Sequence, residues 1–198
     1  MKNEERRWFL KRLTQTIGAA TATALVAGNS ISSALAYQPR QNSEDSNGVI
    51  LTQRQMQILS DVCSVVIPRT DTPSAADLDC HGFIDHQISQ CHSLAEQQSV
   101  RRCLNDINLH SLSQFEREFT QLTSEQQTKI LVDVEQMQGF TQAQKEDFKF
   151  VKGLLVFGYF TSEVGATQVL AYQAVPGGYK ASVPITPETK SWGSLNYY

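Results

Sequence analysis

The chain has 198 residues, of which 19% are charged, and its formal net charge is −3. This length suits a single domain with its own hydrophobic core. An acidic chain with few basic clusters is not expected to bind nucleic acid, because such binding depends on phosphate contacts from Lys and Arg.

Residues 1–36 are predicted to be a twin-arginine export signal. The residues that match the pattern Ser/Thr-Arg-Arg-x-Phe-Leu-Lys are Arg6, Arg7, Phe9, Leu10 and Lys11. Glu5 stands in place of the leading hydroxyl residue. The weakly apolar stretch that follows is too interrupted for a membrane span, which needs about 20 strongly apolar residues. Cleavage is expected between Ala36 and Tyr37, after the small-x-small sequence Ala-Leu-Ala, and retention as an anchor is the alternative.

Export changes what is expected of the mature chain. Residues 1–36 carry five basic and two acidic side chains, so their removal takes the formal net charge from −3 to −6. The twin-arginine route exports folded proteins, most often because a cofactor must be inserted before export. The mature chain is therefore expected in the periplasm, and its sequence has to be searched for a cofactor site.

Residues 37–50 are polar and are predicted to be a flexible linker before a helical domain that spans residues 51–198. Thr52 is a favourable N-cap for the first helix, and Pro68 is expected to end it. The apolar positions that recur there at helical spacing are Met56, Leu59, Val62, Cys63 and Val66.

Three sequences of the form Ser/Thr-x-x-Glu/Gln predict further helix starts, because they have the pattern of a capping box. The pairs are Ser93 with Glu96, Ser113 with Glu116, and Thr123 with Gln126. A short helix carrying Phe83, Ile84 and Ile88 is expected before the first of them. Gly139 is expected to end the last of these helices, with Met137 facing inward.

The segment from 148 to 160 is apolar on nearly every face, which is typical of a helix buried in the middle of its domain. Gly153 and Gly158 within it either permit close approach of another backbone or weaken the helix. Ser162 is a candidate cap for a short final helix ending at Leu170. The predicted fold is all-α: a single small domain of five to seven short helices around one buried helix, with an extended C-terminal coil or small hairpin.

Four cysteines lie in the mature part, where an oxidising compartment permits disulfides. They are Cys63, Cys80, Cys91 and Cys103. Four cysteines allow three pairings. On a single helix Cys80 and Cys91 would be about 16 Å apart, too far to bond. The ends of two antiparallel helices favour a candidate disulfide between Cys63 and Cys80.

The sequence contains no recognisable cofactor or catalytic motif. G-x-G-x-x-G, C-x-x-C-H and G-x-S-x-G are absent, and the cysteine spacing fits no Fe–S or zinc set. Cys-His pairs at 80–81 and 91–92 with His86 suggest a metal site as an alternative, although His81 and His86 are poorly spaced on a helix. Glu163 is expected to support the N-terminal turn of the last helix rather than act as a catalytic acid. No catalytic residue, cofactor or metal is therefore expected on this chain.

Four sequence pieces together indicate a family. They are "VIPRTDTPSA" at 66–75, "FID" at 83–85, "GYFTSEVG" at 158–165 and "VPGGY" at 175–179. With the segments around them, from Leu51 to Tyr179, they resemble the gluconate 2-dehydrogenase subunit 3 family. Members of this family are the small subunits of membrane-associated, flavin-dependent sugar and sugar-acid dehydrogenases.

This resemblance implies an oxidoreductase complex similar to gluconate 2-dehydrogenase (acceptor), in which the chain itself is not catalytic. The large subunit binds FAD, determines the substrate, and usually lacks its own export signal. The small subunit carries it through the twin-arginine translocase and assists its folding. Electrons then pass to a cytochrome c subunit or another acceptor, and the complex associates with the membrane. The alternative is a stand-alone periplasmic protein that binds a small ligand or a metal.

The partner surface is predicted in the C-terminal quarter of the chain. Aromatic side chains near a chain end suggest an interface, because Trp and Tyr are enriched at binding hot spots. The alternative is that the tail folds back over its own helices, with Trp192 as a lid. The candidate contact residues are Tyr159, Phe160, Glu163, Pro176, Gly177, Tyr179, Trp192, Tyr197 and Tyr198.

Overall fold

The computed structural model describes residues 37–172, 175, 177–178, 182 and 184–192. These residues form five α-helices, one π-helical turn and two short 3-10 turns, without a β-strand. The helices are α1 (Gln53–Val66), α2 (Cys80–Cys91), α3 (Leu94–Phe115), α4 (Ser124–Gln136) and α5 (Gln142–Thr161). The 3-10 turns are Ser43–Asp45 and Phe119–Gln121, and the π turn is Gly165–Val169. The chain divides into two units after Tyr37, and the elements named here belong to the second, Gln38–Tyr198. The all-α prediction is confirmed.

Capping boxes begin four of the five α-helices. The predicted boxes at Ser93 and Thr123 are formed, the predicted N-cap Thr52 also forms a box, and α1 ends before Pro68 as expected. A further box at Thr141 begins α5. In each, the cap side chain accepts from the backbone N–H three residues on, and the Glu or Gln side chain there accepts in return. Loss of one such cap typically costs about 1 kcal/mol.

The helix start predicted at Ser113 is wrong. Ser113 lies within α3, and its hydroxyl donates to the carbonyl of His110. Glu116, the expected partner in a capping box, instead ends α3 in the left-handed conformation, with a φ of 55°. The helix continues this far because Ser111 remains in the core, where its hydroxyl donates to the carbonyl of Arg117.

The end of α4 also differs from the prediction. The helix stops at Gln136, and Met137 caps it with a φ of 59°. The Met137 side chain is exposed rather than directed inward. Gly139, with a φ of 78°, lies beyond the helix, so that glycine shapes the following turn.

Helix α5, which the sequence predicted to be buried, packs against α2, α3 and α4. Its buried side chains are Phe148, Val151, Leu155 and Tyr159. Gly158 permits the close approach of a side chain, where the sequence suggested a backbone, since a Cβ there would lie 2.6 Å from Cδ1 of Phe83. Burial of α5 is nevertheless incomplete: its other flank, which includes Gly153, is only partly covered.

The segment before α1 is fastened to the domain, although a flexible linker was predicted over residues 37–50. The fully buried Asp85 carboxylate accepts hydrogen bonds from the backbone N–H groups of Val49, Ile50 (3.1 Å) and Leu51 (2.9 Å). These bonds tie the chain to α2 immediately before the first helix begins.

A second buried carboxylate holds the segment further upstream. Asp79 accepts from the backbone N–H of Arg40 (2.6 Å) and from the hydroxyl of Ser43. The same residue caps α2 by accepting from the N–H of Gly82 at 3.2 Å. The composition of this polar segment suggested flexibility. Its hydrogen-bond partners, Asp79 and Asp85, lie more than 30 residues further along the chain, so a local sequence pattern does not indicate them.

The candidate disulfide between Cys63 and Cys80 is not present, since all four cysteines are free thiols in the structure. Burial raises the pKa of Cys63 well above its usual value, and nearby Cys80 and Asp79 raise it further. Burial and Asp79 also raise the pKa of Cys80 to about 12. Both groups are therefore neutral thiols that pack as small apolar side chains.

Asp61 on α1 gives the fold a specific pH dependence. Burial raises its pKa from 3.8 to about 6, although the hydrogen bond that Gln127 donates to its carboxylate acts to lower the pKa. The folded chain therefore keeps this proton over a pH range in which the unfolded chain has lost it. Stability falls as the pH rises from about 4 to about 6, and the full penalty is present above that range.

Replacing Asp61 by Asn should remove this penalty. We expect the free energy of unfolding at neutral pH to rise by roughly 1 kcal/mol, a figure reduced for the partial exposure of the group. At pH 4 the gain should vanish. Urea unfolding at both pH values measures the effect, and Asp71→Asn, at an exposed carboxylate, is the matched control. An equal effect of Asp61→Asn at the two pH values would contradict the assignment.

Candidate partner-binding surface

Tyr159, the first predicted contact residue, is not on the surface. It is 2% exposed, and its hydroxyl donates to the carbonyl of Pro73 at 3.0 Å. Phe160 is half-buried, with its ring edge-on to that of Tyr159 at a centroid distance of 5.2 Å. These two aromatic residues connect the end of α5 to the loop between α1 and α2, so Tyr159 contributes to the core rather than to an interface.

The predicted cap at Ser162 is formed, and it positions Glu163 at the surface. The Ser162 side chain accepts from the N–H of Gly165 at 3.0 Å. Glu163 is exposed in the first turn after this cap. It is therefore available to a partner, and a carboxylate at the start of a helical turn also opposes the positive end of the helix dipole.

The C-terminal arm, here the described residues after Leu170, leaves the helical domain and returns to it. The N–H of Ala171 donates to the carbonyl of Ser191 at 2.8 Å, and an isolated parallel bridge pairs Ala171 with Trp192. Lys190 strengthens this closure by donating to the carbonyl of Gln168. This single bridge takes the place of the small hairpin considered from the sequence.

Apolar side chains on the C-terminal arm are exposed to solvent. They belong to Tyr172, Val175, Ile185 and Trp192. Trp192 is 63% exposed and Ile185 is 87% exposed, so neither covers the helices of its own domain. Gly177 is also exposed. The proposed lid at Trp192 is therefore wrong, and its exposure leaves this aromatic side chain accessible to another protein.

Several predicted residues lie outside the described part of the chain. Among the contact candidates they are Pro176, Tyr179, Tyr197 and Tyr198. The signal residues from Arg6 to Lys11 and the cleavage residue Ala36 are also outside it. Among the described residues, no helix is long and apolar enough to cross a membrane.

A second apolar surface, which the sequence analysis missed, lies along the uncovered flank of α5. Two adjoining open grooves there have volumes of about 410 and 540 Å³ and share Lys149 and Gly153. We call them together the α5 groove. The other lining residues are Glu135, Lys145, Glu146, Phe148, Phe150, Lys152, Leu154, Val156 and Phe157. The signal was present in the all-round apolar sequence of this helix, but it was interpreted as complete burial.

The α5 groove is lined by three basic and two acidic side chains. Lys152 forms an ion pair with Glu135 of α4. Lys145 and Lys149 have no ion-pair partner among the described residues. A groove with an apolar floor and available ammonium groups at its rim can bind a surface that combines apolar side chains with carboxylates.

A buried histidine lies in the first turn of α2, near the fastened N-terminal segment. His81 is 2% exposed, and its Nε2 lies 3.1 Å from Glu44 Oε2 and 3.3 Å from Asp79 Oδ1. The Nδ1 atom has no hydrogen-bond partner among the described atoms. No group of three His, Cys, Asp or Glu side chains in the described ranges is arranged to hold a metal ion. These contacts connect α2 to the segment around Ser43.

Residues 53–177 match the profile of the gluconate 2-dehydrogenase subunit 3 family. The chain belongs to this family. The match begins in α1 and ends in the C-terminal arm, so it includes the α5 groove, Tyr172 and Val175 but not Ile185 or Trp192. The predicted export signal and the fastened segment precede it. Subunit 3 proteins are small subunits of dehydrogenase complexes, which confirms the resemblance seen in the sequence. No curated protein and no solved structure showed significant similarity to the chain.

Proposed function

We propose that this chain is the non-catalytic small subunit of a periplasmic dehydrogenase of the GMC type. In this complex a large subunit binds FAD and oxidises a sugar or sugar acid. The small subunit assists the folding of the large subunit and carries it through the twin-arginine translocase, using the signal predicted at residues 1–36. The match to subunit 3 over residues 53–177 is the observation that carries this proposal.

The exposed apolar side chains of the C-terminal arm support a role in binding another protein. Tyr172, Ile185 and Trp192 leave apolar area in contact with water in the isolated chain. Large aromatic side chains contribute strongly to protein interfaces when a partner buries them. Association with the large subunit would therefore remove an energetic cost that the small subunit bears alone.

The arrangement of the buried carboxylates suits a structural role for this chain. Asp79 and Asp85 both accept hydrogen bonds from the chain's own backbone. We therefore assign FAD binding and the oxidation of the sugar or sugar acid to the large subunit. Electrons pass from the flavin to a cytochrome c subunit or another acceptor, and the complex associates with the membrane through its other subunits.

Replacing both Arg6 and Arg7 by Lys should retain the small subunit and the flavin subunit together in the cytoplasm. The reason is that the twin-arginine translocase recognises the arginine pair, and the flavin subunit has no signal of its own. Cell fractionation, with dehydrogenase activity and flavin fluorescence measured in each fraction, tests this expectation. Arg12→Lys, outside the pair, is the matched control and should leave export intact. Arrival of the flavin subunit in the periplasm despite the double replacement would contradict the carrier role.

A further inference from the structure

We propose that the α5 groove binds an amphipathic helix of the flavin subunit, with apolar side chains on one face and carboxylates beside them. This inference rests on the proposed function and adds a second contact surface to the C-terminal arm. Its basis is the combination of an apolar floor, an uncovered glycine and unpaired lysines on one flank of α5.

The floor of the groove is held in place by neighbouring aromatic side chains. Phe150 lies edge-on to the ring of His92, with centroids 5.3 Å apart. Phe157 packs against Phe83 of α2 at 6.1 Å. With Leu154 between them, these residues form a stripe at helical spacing along α5. A preformed apolar stripe of this kind is the usual receptor surface for an amphipathic helix.

Gly153 lies in the middle of the groove, and no side chain of the described residues packs against it. Apart from its chain neighbours and the backbone of its own helix, no atom of the described residues lies within 4 Å of the position that its Cβ would occupy, whereas Phe83 fills the corresponding space at Gly158. Glycine in a helix interior costs about 1 kcal/mol relative to alanine, and the isolated chain gains no packing in return. A bound partner would use this gap, since a glycine lets another backbone or side chain approach closely.

The charges at the rim favour an acidic partner over a second copy of this chain. With Lys152 paired to Glu135, the remaining rim charges are those of Lys145, Lys149 and Glu146, a net +1 on a protein whose net charge is −3. In a two-fold dimer the same patch faces itself, which would bring the lysines of the two copies together. Carboxylates on a partner helix would instead pair with them and set its orientation.

Filling the groove tests the proposal. Gly153→Leu should place a large side chain where the partner helix lies and weaken capture of the flavin subunit about ten-fold or more. The melting temperature of the small subunit should stay the same or rise, because leucine is a better helix former than glycine. Gly153→Ala is the graded control: it improves the helix as well, but its single methyl group fills less of the groove, so it should weaken capture of the flavin subunit less than Gly153→Leu does.

Cross-linking identifies the occupant. A carbodiimide should couple Lys149, through its free amine, to a carboxylate of the flavin subunit. The product is an amide, and the carbodiimide takes up the water that is lost. Peptide mapping should place that carboxylate on a segment with apolar residues at helical spacing. Lys149→Arg, which keeps the charge but does not form this amide, should retain binding and lose the cross-link. A link to a second copy of this chain, or to a segment without apolar residues, would overturn the proposal.

The capture experiment also separates this inference from the proposed function. If the unchanged small subunit captures the flavin subunit and Gly153→Leu does so equally well, the groove assignment is wrong and the complex stands. If the unchanged small subunit does not capture the flavin subunit, both the groove assignment and the proposed function are wrong.

Discussion

Replacing Asp85 by Ala is expected to lower the free energy of unfolding by about 3 kcal/mol or more, since three hydrogen bonds to a charged acceptor are lost together. The Asp85 carboxylate is fully buried and accepts from the N–H groups of Val49, Ile50 and Leu51. Alanine would leave these donors without a partner and release the segment before α1. Leu51, itself buried, would then lose the contact that directs it into the core.

Urea unfolding of the purified subunit, followed by far-ultraviolet circular dichroism, measures this loss. Asp85→Asn should have a smaller effect than Asp85→Ala, because the side-chain oxygen of asparagine still accepts a hydrogen bond. It should still lower the stability, since the NH₂ group of asparagine then faces a backbone donor. Asp71→Ala, at an exposed carboxylate, should change the stability by less than about 0.5 kcal/mol. A similarly small change for Asp85→Ala would mean that the segment is not fastened in solution.

Replacing Gly165 by Ala should disrupt the π turn and displace the C-terminal arm. A Cβ at Gly165 would lie 2.0 Å from the carbonyl oxygen of Tyr159 and 2.9 Å from Cα of Phe160, and both are backbone atoms that cannot rotate away. The turn has to open, which breaks the hydrogen bond from the Leu170 N–H to the Gly165 carbonyl. We expect a loss of about 2 to 3 kcal/mol, near the upper end for a steric insertion into a packed site.

Two measurements report this change. Unfolding in urea gives the loss of stability, and limited proteolysis should show faster cleavage after Leu170 than in the unchanged chain. Gly153→Ala is the matched control, because the space beside Gly153 is open and the same chemical change there should be stabilising. Unaltered proteolysis of Gly165→Ala would show that the turn accommodates the methyl group.

Local signals predicted most of the fold, and long-range contacts explain the errors. The capping boxes at Thr52, Ser93 and Thr123 were predictable because a cap uses only neighbouring residues. Ser113 has the same signature, but α3 was already formed there, and a local pattern does not show whether a helix is continuing. The fastening by Asp79 and Asp85 was not predictable, since their partners precede them by more than 30 residues and the composition of that segment resembles a linker.

The partner surfaces were predictable only in part, for a similar reason. The apolar C-terminal arm stood out from composition, and Trp192 is exposed as an interface residue should be. A helix that is apolar on nearly every face, by contrast, does not reveal which face its neighbours cover. Tyr159 was expected at the surface and is buried, while Phe150 and Phe157 were expected inside and line the α5 groove. Only the placement of α2, α3 and α4 around α5 decides between them.

The hydrogen bond from Tyr159 to Pro73 can form only late in synthesis. It joins residues 86 positions apart, and Tyr159 lies near the end of α5, which packs against α2, α3 and α4. A ribosome adds about 5 to 20 residues per second, so Tyr159 is made roughly 8 to 30 s after Arg7. The predicted signal is therefore complete well before the nascent domain has its last α-helix. Premature delivery to the translocase would present an open chain, so a protein that masks the signal over this interval would protect export.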